Sequence, residues 1–209
     1  MEQTIDQLKK SLLSVDHAAS NEILQRISNE LTYTEIIDKI IMPVMDQIGL
    51  GWEDGTVALS QVYMTGKFTE KFVDSILPPG DPNRKHKPKM AITVLEDYHM
   101  LGKRIIYSML RASGFELYDY GHTTVNSLFQ KIKDDDINTI LISTLMLPSA
   151  LKIKELKAKL IAENMNTRVI VGGAPYRFDN QLWKDVGADA MASGANEVIS
   201  IINGNGGQV

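Results

Sequence analysis

The 209-residue sequence contains no cysteine. Disulfides, thiolate zinc sites, protein-ligated iron–sulfur clusters and cysteine nucleophiles are therefore excluded together. No apolar run approaches the ~20 residues that a membrane-spanning helix needs. Residues Met1 to Asp16 are amphipathic and carry acids, without the apolar core of a signal peptide. The 22 basic side chains are outnumbered by 26 acidic ones, for a net charge of −4. No basic block stands out, so the electrostatic footprint of a nucleic-acid binder is missing. The four histidines, His17, His86, His99 and His122, show no spacing that gathers ligands for a zinc ion. The dinucleotide fingerprint G-x-G-x-x-G is absent after the first strand-like segment. These absences predict a cytoplasmic protein with neither nucleic acid nor membrane as partner.

What is present falls into two halves. Residues 1–77 carry few strand signals. Leu8, Leu12, Leu13 and Val15 predict one helix, and Ile23, Leu24, Ile27 and Leu31 a second. A third, capped by Thr34, carries Ile36, Ile37, Ile40, Ile41, Val44, Met45 and Ile48, and Gly49 and Gly51 interrupt it. A fourth runs from about Ser60 to Leu77. Four such helices form a small bundle. Four prolines, a glycine and several charges then crowd into residues 78–88, which read as an interdomain linker.

From residue 89 to 209 strands and helices alternate. Strands are expected at Met90–Leu95, Phe115–Tyr118, Thr139–Ile142, Arg168–Val171 and Ala188–Ala192. Helices are expected at Lys103–Ala112, Val125–Lys133, Ser149–Glu163, Asn180–Val186 and Ala195–Ile202. This pattern predicts an α/β flavodoxin-like (Rossmann-like) domain whose five-stranded parallel sheet is covered on both faces. Right-handed crossovers favour the order 2-1-3-4-5. In such sheets ligands bind beyond the carboxyl ends of the strands, where the order reverses. Strand one ends at Asp97-Tyr98-His99, strand three at Ser143-Thr144-Leu145 and strand four at Gly172-Gly173. A histidine two residues after an aspartate can give one ring nitrogen to the carboxylate and offer the other to a metal. Ser143 could extend that network, and Gly172 and Gly173 allow close approach to the backbone. A phosphorylated receiver domain shares the topology but wants a lysine after strand five, where Ala192-Ser193 stands.

Asp97-x-His99-x-x-Gly102, Ser143-x-Leu145 and Gly172-Gly173 together resemble the signature of cobalamin-binding domains, shared by methionine synthase and the corrinoid proteins of methyltransferase systems. Val171–Pro175 and Gly187–Ala190 look like the corrinoid-protein subgroup. In the helical half, Gly49-Leu50-Gly51-Trp52 followed by Leu59-Ser60-Gln61-Val62 is similar to that subgroup's cap motif. The resemblance implies a cobalamin or related corrinoid, methylcobalamin in turnover, with His99 as lower axial ligand and Asp97 and Ser143 behind it. It places Tyr98, Met100, Gly102, Leu145, Leu147, Gly172, Gly173, Met191 and Ala192 around the cofactor and its tail. Trp52, Leu59, Val62, Tyr63 and Met64 would shield the upper face.

Departures from the pattern are Glu96 before the motif, Leu147 after Ser-x-Leu, Met191 for a frequent tyrosine, Ser60 for a frequent proline, and the turn Gly121–Thr124 after strand two. The implied role is a methyl carrier with no catalytic residue of its own. It would be loaded by a substrate methyltransferase, unloaded by a second methyltransferase and rescued by a corrinoid-reducing activator, with the 78–88 linker as hinge. A cobalamin-dependent sensor and the small subunit of a carbon-skeleton mutase are the alternatives. The methyl donor is unread: methanol, methylamines, aryl methyl ethers and glycine betaine are all open.

Overall fold

A computed structural model describes residues 1–76, 78, 81 and 88–204. Most of the expected linker and residues 205–209 of the expected tail lie outside the described residues. The chain divides into two compact units, Met1–Lys85 with Ser108–Glu116, and His86–Tyr107 with Leu117–Val209.

The first unit holds α1 (Glu2–Leu13), α2 (His17–Ser28), α3 (Tyr33–Ile36), a π-helical stretch (Ile37–Ile41), α4 (Met42–Glu53) and α5 (Leu59–Ile76). Val15 lies past the end of α1 with a left-handed φ of 59°. Asp16 caps α2 by accepting from the N–H of Ala19. The third rod starts at Tyr33 and is capped by Thr32, not from position 34. The Thr32 hydroxyl accepts from the N–H of Glu35 while the Glu35 carboxylate accepts from the N–H of Thr32, a reciprocal capping box.

That rod continues to Glu53 through both Gly49 and Gly51, against the expected interruption. Gly51 is there for close approach, since a Cβ on it would lie 2.6 Å from Cγ2 of Val57. Its carbonyl accepts from the N–H of Val57 at 2.8 Å. Gly55, at φ 82°, ends the rod as a left-handed C-terminal residue. Pro43 brings no amide hydrogen and would clash with the carbonyl four residues back; the widened π turn just before it relieves that conflict. Leu8, Leu24, Ile36, Ile40, Met45, Ile48 and Val62 fill the core.

The segment Ser108–Glu116 joins this unit because its polar side chains are bonded there. Ser108 donates to Glu70, and Arg111 donates to Asp74.

The second unit is a parallel sheet in the order β2-β1-β3-β4-β5, as the alternating pattern predicts. Its elements are β1 (Met90–Leu95), α6 (Met100–Ala112, whose last turns lie in the first unit), β2 (Tyr118–Thr123), α7 (Val125–Asp134), β3 (Thr139–Ser143), α8 (Leu147–Leu151), α9 (Ile153–Ala162), β4 (Arg168–Gly172), α10 (Ala174–Phe178), α11 (Leu182–Asp185), β5 (Ala190–Met191) and α12 (Ala195–Ile202). One face buries Ala91, Leu95, Ile140, Ile142, Val169 and Val171 against α7, α9 and α11.

Two expectations need correction. The helix expected over Ser149–Glu163 is two helices, α8 and α9, that meet at Lys152. The second strand is Tyr118–Thr123, not Phe115–Tyr118. Phe115 and Leu117 are buried before it begins, and the strand itself is a half-exposed edge whose sequence is mostly polar. The residues expected as a turn, Gly121 to Thr123, are its last three, and Thr124 caps α7. The register against β1 shifts between Ile92 and Val94. Gly121, at φ 66°, makes the bulge opposite that shift.

Candidate functional site

At the carboxyl end of β1 the chain passes through Glu96, Asp97, Tyr98 and His99 before α6 starts. Asp97 is buried, and its carboxylate collects donors from two sides of the crevice. Oδ1 accepts from the N–H of Tyr98 at 2.7 Å, the N–H of His99 at 3.1 Å and the His99 ring at Nδ1, 2.5 Å away. Oδ2 accepts from the N–H of Leu145 at 2.8 Å and of Met146 at 3.2 Å, just past β3. Burial opposes ionisation of Asp97. The N–H of Leu145, the His99 ring and the N–H groups of His99 and Met146 outweigh it and hold the carboxyl well below the ordinary aspartate range. An ionised carboxylate only accepts, so Nδ1 of His99 carries the hydrogen between them and Nε2 is the ring nitrogen left for a ligand. The His99 side chain is 55% exposed, which leaves Nε2 open to a ligand.

Ser143 ends β3, but its hydroxyl faces Gly102: a Cβ there would sit 3.3 Å from Ser143 Oγ. It is not among the partners of Asp97. Gly172 and Gly173 are required first by the chain's own backbone. A Cβ on Gly172 would come within 2.7 Å of the Ala192 carbonyl oxygen, and one on Gly173, at φ 119°, within 1.8 Å of the Thr144 carbonyl oxygen. Met191 forms β5 and is half-buried, and Ala192 is buried beside it. Tyr98 is 80% exposed and stacks on His122, ring centroids 4.3 Å apart and nearly parallel. Leu145 and Leu147 are exposed and Met100 half-buried.

In the helical unit, Trp52 is half-buried near the end of α4, Leu59 and Met64 are exposed on α5, Tyr63 is half-buried and Val62 lies wholly in the core. Gln61 has a structural task. It accepts from the N–H of Ala58 and donates to the Leu13 carbonyl, capping α5 and tying it to α1.

Several contributors carry no sequence signal of their own. The N–H groups of Leu145 and Met146 are backbone atoms and have none. Ser149, buried in the first turn of α8, donates to the Glu96 carbonyl at 2.9 Å; its place shortly after Ser-x-Leu is the one available hint. Lys103 is 2% exposed and pairs with Asp119, which also accepts from the N–H of Gly121.

The donor set fits a cobalt brought in by its own macrocycle. Among the described residues no three His, Asp or Glu side chains cluster to hold a bare ion. One imidazole nitrogen stands ready, oriented by a carboxylate, beside a rim of exposed Tyr98, Leu101, Leu145, Met146 and Leu147 suited to a broad apolar face.

Comparison with known proteins gives the same reading. Residues 88–201 match the protein-family profile of the B12 binding domain, and residues 4–76 match a second profile of the same description. The dimethylamine corrinoid protein 2 of Methanosarcina mazei is 30% identical over 206 residues, which is 95% of each chain. The crystal structure of a cobalamin-binding protein from Desulfitobacterium hafniense matches with a TM-score of 0.78 at 23% identity, over 97% of this chain and 98% of that one. A chain of the methanol:cobalamin methyltransferase complex from Methanosarcina barkeri matches with a TM-score of 0.66 at 18% identity, over 98% and 81%. The two solved structures speak for the fold alone.

Proposed function

The chain belongs to the cobalamin-binding corrinoid proteins of methyltransferase systems, and from that premise we propose that it is a methyl carrier working between two methyltransferases. Its cofactor is a corrinoid, which when bound supplies the cobalt centre that takes up and releases the methyl group. The observation that carries the reading is the Asp97–His99 pair, with Nδ1 2.5 Å from the Asp97 carboxylate, so that Nε2 is the nitrogen that would hold the cobalt. Asp97 fixes the direction of the ring. Ser143, Leu145, Gly102, Gly172, Gly173, Met191 and Ala192 line the slot for the corrinoid's tail. Trp52, Leu59, Tyr63 and Met64 supply apolar cover that keeps water from the methyl group. We assign loading and unloading to separate methyltransferases, and the restoration of oxidised cobalt to a reductive activator.

Among the described residues no helix is long and apolar enough to cross a membrane, in keeping with a cytoplasmic carrier. The relative in Methanosarcina mazei is named for dimethylamine, which supports a methylated amine as the upstream donor.

The test is to load the full chain with hydroxocobalamin, reduce it, and supply dimethylamine, monomethylamine or methanol with the methyltransferase encoded beside it. Methylcobalamin should accumulate on the protein with one of these donors and be discharged when the second enzyme and its acceptor are added. Bound corrinoid that stays unmethylated with every donor, or a methyl group that no acceptor enzyme removes, would sink the reading.

A further inference from the structure

Glu96 adopts a left-handed backbone at φ 49°, a conformation that a glutamate rarely takes without cause. Three bonds to three different elements hold it there. Its N–H donates to the Thr123 carbonyl at the end of β2, at 2.9 Å. Its carbonyl accepts from Ser149 Oγ in α8, at 2.9 Å. Its carboxylate accepts from the N–H of Val125, the first residue of α7, at 3.1 Å. The Thr124 side chain spends its cap on the N–H of Ser127, so the N–H of Val125 is one of the helix's orphan donors and Glu96 satisfies it.

β1 lies between β2 and β3. Asp97 reaches the β3 side of the crevice through Leu145 and Met146, and Glu96 reaches the β2 side through Thr123 and Val125. Two consecutive carboxylates thus brace one short loop from opposite sides, and His99 is the ring that loop presents. We propose that Glu96 is a positioning residue for His99: its left-handed backbone and its tie to α7 fix the direction from which Nε2 meets cobalt. This rests on His99 being the lower axial ligand.

The test uses the full chain loaded with hydroxocobalamin and reduced to cobalt(II), with protein histidine labelled with 15N. Electron paramagnetic resonance then tells a histidine nitrogen from the corrinoid's own base by its splitting. Glu96→Ala should weaken corrinoid binding about fivefold, the factor expected of one net hydrogen bond, and reduce the histidine-split fraction at saturating corrinoid. Glu96→Gln, whose amide oxygen still accepts from Val125, should restore both. Glu96→Gly, which relieves the backbone but lacks the tie, should behave like the alanine variant. Thermal unfolding of the three unloaded variants separates loss of the loop from loss of the fold.

A split wild-type spectrum with an unchanged Glu96→Ala variant overturns this assignment alone. So does a glutamine variant that fails to rescue or a glycine variant that does. A wild-type spectrum without 15N splitting overturns both this assignment and the axial role of His99.

Discussion

In the helical unit the bonds that buried polar side chains make from one helix to another join side chain to side chain: Ser20 to Ser11, Ser108 to Glu70, Arg111 to Asp74, while Ser11 and Ser20 also reach carbonyls one turn back. In the α/β unit they bond mostly to backbone. Asp97 takes the amides of Leu145 and Met146, Ser149 the carbonyl of Glu96, and Thr167 that of Ile137; the exposed Glu96 likewise takes the amide of Val125. The contrast follows from where free peptide groups exist. Helix interiors satisfy their own N–H groups, so a polar side chain between packed helices finds another side chain, a carbonyl one turn back in its own helix, or a carbonyl at a helix end. The carboxyl ends of parallel strands leave amides unpaired, and these can be gathered around one carboxylate. Backbone atoms lack rotamer freedom, so an anchor made from them positions a ring more firmly than a side-chain pair does. His99, the proposed cobalt ligand, stands where such anchors are available.

The sharpest way to break this contrast is with glycine. Gly173→Ala drives a Cβ into a carbonyl oxygen that belongs to the backbone and forces φ 119° on alanine, so it should cost more than about 3 kcal/mol or prevent folding. Gly51→Ala meets side chains only, Cγ2 of Val57 at 2.6 Å and Oγ1 of Thr56 at 3.1 Å, and should cost about 1–2 kcal/mol. Urea unfolding that ranks the two equally would remove the distinction between backbone and side-chain constraint.

Asp97→Ala comes next. It removes the buried carboxylate that holds the amides of Leu145 and Met146 and the His99 ring and should cost about 3 kcal/mol. The same carboxylate gives a pH signature. Its folded pKa lies below the ordinary aspartate value of 3.8, so its stabilising effect is complete above pH ~4 and is lost as pH falls further. An acid titration of apoprotein stability should show that loss in the wild type and a flatter profile in Asp97→Asn; parallel profiles would count against the ionised anchor. Ser20→Ala, the helical counterpart, should cost only about 1 kcal/mol, because Ser11 keeps its bond to the Leu8 carbonyl.

The smallest effect on stability belongs to the functionally largest change. His99→Ala removes a half-exposed ring that donates to Asp97 and should shift unfolding by about 1 kcal/mol or less, while abolishing the histidine-ligated spectrum of the bound corrinoid. A large stability loss would mean that the ring holds the loop rather than the reverse.

Much of the fold was legible because each element had a period to show. The alternation after residue 89 gave the parallel sheet and its order, and the strand ends brought Asp97, His99, Ser143 and Gly172 to one edge. Where the reading failed, the missing information was tertiary. β2 is a half-exposed edge strand with a polar sequence, so its residues looked like a turn while buried Phe115 looked like a strand. Gly51 looked like a helix break because nothing local announces Val57 beside it. The partners of Asp97 went unread because amide hydrogens are the same in every residue, and Ser143, the hydroxyl that seemed suited to the task, faces Gly102 instead.

The bulge at Gly121 has a consequence for how the sheet ends. Open sheets are exposed at their outer strands, which are templates for pairing with other chains. Here β5 is only two residues long, and β2 is kinked at Gly121 beside the charged pair of Asp119 and Lys103. Neither border offers a straight, apolar ladder for a neighbouring copy to extend. The unloaded chain is thereby guarded against strand-to-strand aggregation.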